Sequence, residues 1–540
     1  MPNDSEALRR LLQADTRAES AGGPLMASAL VPGLTILHHP DAGRAGERAA
    51  LLGLVSGKEE PLSRSEPAFS QPGGAAQLRP LADPYVSRRP LQLGPGAEPG
   101  GVRLLRGESG TAVVADGEPV TGDLEIPPAR LERGVVLLLA GRVVLLLSRI
   151  DPIGVAGVPD FGMVGESAPV IALRREIQRV AGLDVPVLLR GETGTGKELI
   201  ARALHGAGPR HARPYLAVNM AAIPATLAAA ELFGASRGAY TGADRKRDGY
   251  FQRADGGTLF LDEVGETPPE VQALLLRALE SHEIQPVGDD AVRRVDVRLI
   301  AATDADLESS VAAGRFRAPL LHRLAGYEIR VPPLRERRDD FGRLFLHFVR
   351  QELAEVGETG RLAVPPGGSS WIPASLVASL AAAGWPGNVR QLRNAARQIV
   401  IAGRDAGEPG MWLQTERLLQ EAARRAPSRD SDSTSVPALP EPPSRKAYRR
   451  PEDVTDDELL AALRANRWRI QRAAAQLGIS RGSLYDRIER SQRIRKAADL
   501  SREEIETCRA LLGGDLDAMV EALEVSKRGL QRRMTQLGLS

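Results

Sequence analysis

Three groups of residues in this chain have types and spacings that could do chemistry on a phosphoanhydride. The first is Gly191-Glu192-Thr193-Gly194-Thr195-Gly196-Lys197-Glu198. Its glycines lack a β-carbon, so the backbone can curl its N–H groups around a polyphosphate at the start of the next helix, where the helix dipole also favours anions. Lys197 supplies a point charge for the outer phosphates. Glu198 stands where a Ser or Thr usually follows that lysine, so magnesium has to be held by another group. The second group is Asp262-Glu263, adjacent acids that end an apolar run about 65 residues after the lysine. In a P-loop enzyme such a pair puts the aspartate on Mg2+ and the glutamate on the attacking water. The third is Gly238-Ala239-Tyr240-Thr241-Gly242-Ala243, where two glycines bracket an aromatic and a hydroxyl in a stretch without periodicity. That composition describes an exposed loop presenting Tyr240 and Thr241.

These groups need a parallel sheet behind them. Val185 to Leu189 reads as a buried strand feeding the glycine loop, followed by a helix carrying Leu199, Ile200 and Leu204. Tyr215 to Asn219 is a second strand, Ala225 to Leu232 a helix, and Val297 to Ala302 a further buried strand ending at Thr303-Asp304. Strands alternating with helices predict a central α/β domain.

The chain has 540 residues, enough for about three to five domains. Its net charge is only +2 with 26% charged residues, so any nucleic-acid surface has to be local. One cysteine, Cys508, excludes an internal disulfide and fits a reducing compartment. No apolar run reaches the ~18 residues of a membrane span, and the amino terminus lacks a signal-peptide pattern. A cytoplasmic, multi-domain protein with no membrane partner is expected. Residues 1–30 read as a tail. Over 31–150, short β-rich runs (Leu34–Leu37, Ala50–Val55, Val102–Leu105, Ala112–Val114, Val135–Leu139, Val143–Leu147) alternate with turn residues, which predicts a regulatory β-sandwich.

Within that region Asp83 to Leu93 resembles the core of a forkhead-associated (FHA) domain, and Glu108-Ser109-Gly110-Thr111 with Asp116-Gly117 resembles its later turns. The resemblance implies phosphothreonine binding, with Arg64, Ser87 and Arg88 as candidates by position and a phosphothreonine protein as partner. Pro90 replaces the family's histidine, and the family's asparagine before Gly110 is absent.

Residues 160–403 resemble the AAA+ domain of sigma-54-dependent transcriptional activators, the bacterial enhancer-binding proteins. The resemblance rests on the glycine loop, the acid pair and above all the segment Gly238 to Ala243, which is similar to the family's signature loop with Tyr240 for the commoner phenylalanine. It implies a ring oligomer, usually a hexamer, that hydrolyses ATP with Mg2+ and uses that loop on sigma-54 RNA polymerase. Matched by position, Asn219 couples the glutamate to the nucleotide state, Arg317 and Arg323 are candidates to reach a neighbour's ATP, Asp304 stands at the polar sensor, and Arg390 is the lid arginine, the lid starting at about residue 334. Two departures are expected to matter: Pro319 to reshape the finger segment, and the charge of Asp304 to repel the γ-phosphate unless paired.

Residues 404–452, rich in Pro, Ser, Arg and Asp, read as a linker. Over 453–496, Arg472 to Tyr485 has small Ala474, turn residue Gly478 and apolar positions at helix-turn-helix spacing, and nine Arg or Lys against two acids lie between Asn466 and Lys496. The segment resembles the Fis-type domain that binds upstream enhancer DNA, with Arg472, Ser480, Arg481, Ser483, Tyr485 and Arg487 as candidates. A capping box at Ser501 to Glu504 and an echo of Leu477–Ile488 in Leu523–Met534 recur at an offset of 46, which predicts a second such unit over 497–540 with Lys527, Arg528 and Arg532 as its basic groups. The reading as a whole is an ATP-dependent activator of sigma-54 promoters. Its rivals are a DNA-binding regulator with an impaired ATPase that acts by occupancy, and a phosphopeptide-binding scaffold.

Overall fold

The computed structural model describes residues 30–72, 77–152, 157–239, 245–364 and 368–405 and, from 455 onward, all but 467, 469, 478–483, 485–490, 492–498, 513–515, 526–529, 532, 535–536, 538 and 540. The chain divides into two compact units, one through Arg429 and one from Asp430. The expected tail and nearly all of the expected linker lie outside the described residues.

Among its described residues the first unit begins with ten strands: β1 Val31–His38, β2 Arg48–Ala50, β3 Glu60–Leu62, β4 Leu91–Pro95, β5 Val102–Leu105, β6 Val113–Ala115, β7 Glu118–Pro119, β8 Leu124–Ile126, β9 Val135–Leu139 and β10 Val143–Ile150. They form two antiparallel sheets, in the orders β2-β1-β10-β9-β6-β7 and β3-β4-β5-β8, closed on one core. In β4 and β5 the period is two: Leu91, Leu93, Val102 and Leu104 are buried while Arg103 is exposed. The run Ala50–Val55, expected as a strand, instead leaves β2 at Ala50 and makes a helical turn over Leu52–Val55, with the Gly53 amide donating to Glu60. A short apolar run does not distinguish the two conformations.

β9 and β10 are apolar at nearly every position because both of their faces are covered. Val135, Leu137, Leu139, Val143, Leu145 and Leu147 enter the sandwich core. Val136, Val144 and Leu146, with Leu37 of β1, enter a second core built with lid helices Phe341–Glu355, Ala374–Ala382 and Asn388–Asp405. The sandwich and the lid therefore share one hydrophobic core. Their backbones meet at Gly342, where a β-carbon would lie 2.3 Å from the Leu37 carbonyl oxygen. Polar contacts frame the seam: Arg48 pairs with Asp339 at 2.7 Å, and the Arg338 guanidinium donates to the carbonyls of Arg133 (2.6 Å), Gly134 (2.9 Å) and Ala381 (3.0 Å).

Between sandwich and lid lies an α/β domain with β11 Val187–Arg190, β12 Tyr215–Asn219, β13 Thr258–Asp262, the hairpin β14 Glu283–Ile284 and β15 Arg293–Arg294, then β16 Arg298–Thr303 and β17 Tyr327–Arg330. The sheet order is β12-β13-β16-β11-β17 and all its pairings are parallel. The carboxyl ends of β11, β13 and β16 therefore open on one edge, where ligands of such sheets bind. The second unit contains helices Asp456–Ala465, Ile470–Leu477, Arg502–Leu511 and Leu516–Leu523 around a single core.

Burial pushes the Asp339 carboxyl up to about 6 even beside Arg48. Arg48→Ala leaves that carboxylate unpaired in the seam and is expected to lower unfolding free energy by about 3 kcal/mol at pH 8. The loss should shrink below pH 6, where Asp339 becomes neutral, and the Arg48→Met/Asp339→Leu double variant should recover most of it. Urea denaturation of the three proteins at both pH values checks this.

Candidate active site

The glycine loop joins β11 to helix Lys197–Gly206 at the open edge of the sheet. Gly194 (φ +80°) and Gly196 (φ +102°) take the left-handed conformations that let the loop curl. Thr195 stitches it, its hydroxyl donating to the Glu192 carbonyl at 2.7 Å. Lys197 is buried, and its ammonium donates to the Gly191 carbonyl at 2.8 Å and lies 3.9 Å from a Glu263 carboxylate oxygen. Glu198, which the sequence placed with the nucleotide contacts, is exposed and paired instead with Arg202 one helical turn on at 2.9 Å.

Asp262 ends β13 in register with Asn219 at the end of β12. Glu263 follows in a left-handed turn (φ +52°), its amide donating to Asp262 at 3.1 Å. Burial pushes the Glu263 carboxyl up against the pull of Lys197, and Asp304 and Asp262 push in the same direction. Asp304 accepts a 2.5 Å hydrogen bond from the Thr193 hydroxyl. The sensor carboxylate is thus hydrogen-bonded to the loop by a neutral hydroxyl, which orients it and leaves its charge in place. Asn219 uses its side-chain oxygen to cap the turn at Ala221 (2.9 Å), and this is where its hydrogen bond goes.

The expected finger segment is helix Ala318–Leu324. Pro319 sits in its first turn, where the missing N–H would have no intrahelical partner, so the proline fits the helix and the anticipated reshaping does not occur. Arg317 is the exposed N-cap residue, held through its backbone N–H by Gln272 at 2.9 Å. Arg323 instead spends its guanidinium on the Leu279 carbonyl (3.1 and 3.0 Å), fastening this helix to helix Pro269–Ser281 of the same subunit.

The lid reaches the loop through Asn388 and Arg335, which sequence reasoning did not single out, and through Arg390, which it did. Asn388 is fully buried, accepts from the Leu334 amide at 2.8 Å and donates to Glu192 (3.1 Å) and the Thr193 carbonyl (3.2 Å). Its φ of +52° is a conformation asparagine tolerates better than most residues, the one signal that could have marked it. Arg335 grips Glu192 with two contacts of 2.7 and 2.6 Å and holds that carboxyl below its usual range. Arg390 donates its amide to the Gly194 carbonyl at 3.2 Å while its side chain is exposed. A β-carbon on Gly194 would fall 2.3 Å from the Gly387 carbonyl oxygen, so the loop glycine is also required by the lid.

The expected output loop is held at its base, where Ala235 pairs with Arg247 and the Ser236 hydroxyl donates to the Gly288 carbonyl at 2.6 Å. Gly238 and Ala239 continue from there; Tyr240, Thr241, Gly242 and Ala243 lie outside the described residues. In the sandwich, Arg64 donates to the carbonyls of Asp83 (2.9 Å), Val86 (3.1 Å) and Pro84, and the Ser87 hydroxyl accepts from the Arg89 amide at 3.0 Å. Those two groups hold the 83–89 loop, which corrects their expected role on a phosphate, and of the three candidates only Arg88 is exposed. Arg472 lies in helix Ile470–Leu477. Its side chain, and Ser480, Arg481, Ser483, Tyr485 and Arg487, are outside the described residues. Among the described residues no cluster of three His, Cys, Asp or Glu could hold a metal, and no helix is long and apolar enough to cross a membrane.

Asn388→Ala removes the acceptor of a buried amide and both donors to the loop. It is expected to destabilise the lid by about 1–3 kcal/mol. Hydrogen exchange should show faster exchange at Leu334 and across 192–194, with the sandwich strands unchanged.

Three family models match the chain in succession. The family model of the Sigma-54 interaction domain matches residues 163–330, that of the AAA+ ATPase lid domain 335–435, and that of the Fis family of bacterial regulatory proteins 451–490. The regulatory protein LuxO of Vibrio cholerae is 44% identical over 281 residues, 52% of this chain and 51% of LuxO. The anaerobic nitric oxide reductase transcription regulator NorR of Citrobacter koseri is 45% identical over 285 residues, 52% of this chain and 54% of NorR. The chain thus spans about half the length of the curated relatives it matches. The crystal structure of NtrX from Brucella abortus in complex with ADP is 30% identical with a TM-score of 0.42, over 61% of this chain and 69% of that one. With an AAA+ core, its lid and a Fis-type segment in succession, the chain belongs to the sigma-54-dependent transcriptional activators.

Proposed function

We propose that this protein is an ATP-dependent activator of sigma-54 RNA polymerase that binds upstream DNA and remodels the closed promoter complex as a ring, most simply a hexamer. The observation that carries the reading is the convergence of Lys197, Glu263, Asp304 and the lid residues Asn388 and Arg390 on one glycine loop. ATP lies with its phosphates in that loop, against the Lys197 ammonium. Asp262 ends a strand beside them and suits Mg2+, a hard cation satisfied by one carboxylate, phosphates and water. Held there, it would supply positive charge against the phosphates. Glu263 takes the proton of the attacking water, and its raised pKa suits a base.

Arg317, exposed at the head of its helix, is the residue for a neighbour's γ-phosphate; Arg323 positions that helix. Hydrolysis therefore needs an assembled ring. Output passes through Gly238 to Ala243, whose base at Ala235 and Ser236 is tied to the hairpin loop at Val287 and Gly288. The Fis-type segment holds the ring at upstream DNA. The sandwich, FHA-like in its two antiparallel sheets, serves as the regulatory input and acts on the lid it shares a core with. Its phosphothreonine chemistry is disfavoured by the engagement of Arg64 and Ser87. The fit of Pro319 within its helix removes one of the two departures that would favour an occupancy-only regulator.

ATP hydrolysis per subunit should rise with protein concentration, fall at least 100-fold in Glu263→Gln and in Arg317→Ala, and persist in Thr241→Ala. A rate independent of concentration contradicts the ring. Because Asp304 helps raise the Glu263 pKa, Asp304→Asn should move the acid limb of the pH–rate profile to lower pH; a limb that stays put means Glu263 is not the titrating base.

A further inference from the structure

We infer that the cleft between the sandwich and the lid is a binding site for a small polyanion, a metabolite-sized molecule carrying two or more phosphate or carboxylate groups. The cleft has a volume of about 580 Å³, within the range of ~300–1,000 Å³ that small-molecule sites occupy. Helix Pro128–Arg133 and strand β10 form its sandwich wall. The lid wall is the start of the lid at residues 335–339, with the end of helix Ala374–Ala382.

Four arginines and three acids line the cleft, and most of the acidic charge is already spent outside it. Asp339 is taken by Arg48 at 2.7 Å and Glu336 by Arg330 at 2.8 Å, while Arg335 faces Glu192 of the glycine loop. What remains is Arg133, Arg149 and Arg338 against the single exposed carboxylate of Glu132. Among the described residues none of these three arginines makes an ion pair. Arg149 has one long hydrogen bond, 3.4 Å to the Gly100 carbonyl, and its buried Nε has no partner. Arg338 has only carbonyls. Burial holds its guanidinium below the ordinary range against the pull of Asp116, and the nearby Arg133 pushes it the same way.

Packing does not explain this arrangement, because like charges gathered in a cleft repel and a buried donor without an acceptor costs about 1–3 kcal/mol. An anion removes both penalties. Guanidinium groups meet carboxylate and phosphate oxygens two contacts at a time, and here they come from opposite walls, Arg133 and Arg149 from the sandwich and Arg338 from the lid. A ligand with two or more anionic groups spans them and fastens the two domains across the cleft. Its occupant also lies one side chain from the phosphate cradle, since Arg335 lines the cleft and holds Glu192 at 2.6 Å.

The test is calorimetric titration of the full chain with pyrophosphate and, separately, with citrate. Mg2+ is left out, and Lys197→Ala is the background, so that the glycine loop contributes little. One site per chain is expected. Binding of both probes assigns the polyanion class, of pyrophosphate alone a phosphorylated ligand, of citrate alone a polycarboxylate. Arg133→Glu and Arg149→Met should each weaken binding by about 10-fold or more. Arg294→Ala, at an exposed arginine of β15, should leave it unchanged. Arg133 is exposed and its side chain is unengaged, so Arg133→Glu keeps the fold even if Arg149→Met does not. No heat from either probe at millimolar concentration, or binding unchanged in Arg133→Glu, overturns the site. Neither readout involves ATP hydrolysis, so this outcome is separable from any failure of the ATPase reading.

Discussion

One buried amide side chain joins the parts of this molecule that have to move together. Asn388 holds the first residue of the lid, Leu334, with its oxygen, and the glycine loop with its nitrogen. With no exposed surface, each of its polar atoms needs a protein partner, because an unpaired buried amide costs several times what a surface hydrogen bond contributes. Arg335 reinforces the link from the same lid segment through Glu192. Lid position and loop conformation are therefore one variable, and a group that displaces the lid alters the phosphate cradle.

The sandwich is such a group. Strands β9 and β10 are apolar on both faces, and the face not used inside the sandwich is built into the lid's own core. Core interiors are packed to the density of organic crystals and do not deform gradually, so a change in the sandwich is passed on as a shift of whole helices. The close approach at Gly342 and the Arg48–Asp339 pair leave little play in that seam. If the sandwich is an input domain, as proposed, the packed route from it to the phosphate loop runs through Phe341–Glu355 and Asn388.

Much of the site was legible because it is local in sequence. The glycine loop, the acids ending β13 and the strands behind them announce themselves by spacing and hydrophobic runs, as does the 46-residue repeat. What was not legible depends on tertiary distance. Glu192 and Arg335 are far apart in the chain, and nothing local to either marks the pair. Arg64 and Ser87 have the residue types of a phosphate site, and only the carbonyls of Asp83, Pro84 and Val86 show that the arginine is engaged elsewhere. Pro319 looked disruptive because its place within the helix was unknown. The doubly buried run Val135 to Leu147 showed an apolar stretch broken by Gly141 and Arg142, but not that its second face belongs to another domain.

Open-complex formation tests the account most directly: permanganate reactivity of promoter thymines, with sigma-54 holoenzyme and this protein on a supercoiled sigma-54 promoter template carrying its binding site. Melting that requires hydrolysable ATP, is absent with a non-hydrolysable analogue and is lost in Thr241→Ala is the predicted result. Melting of equal extent without hydrolysis, or with Thr241→Ala, would contradict it.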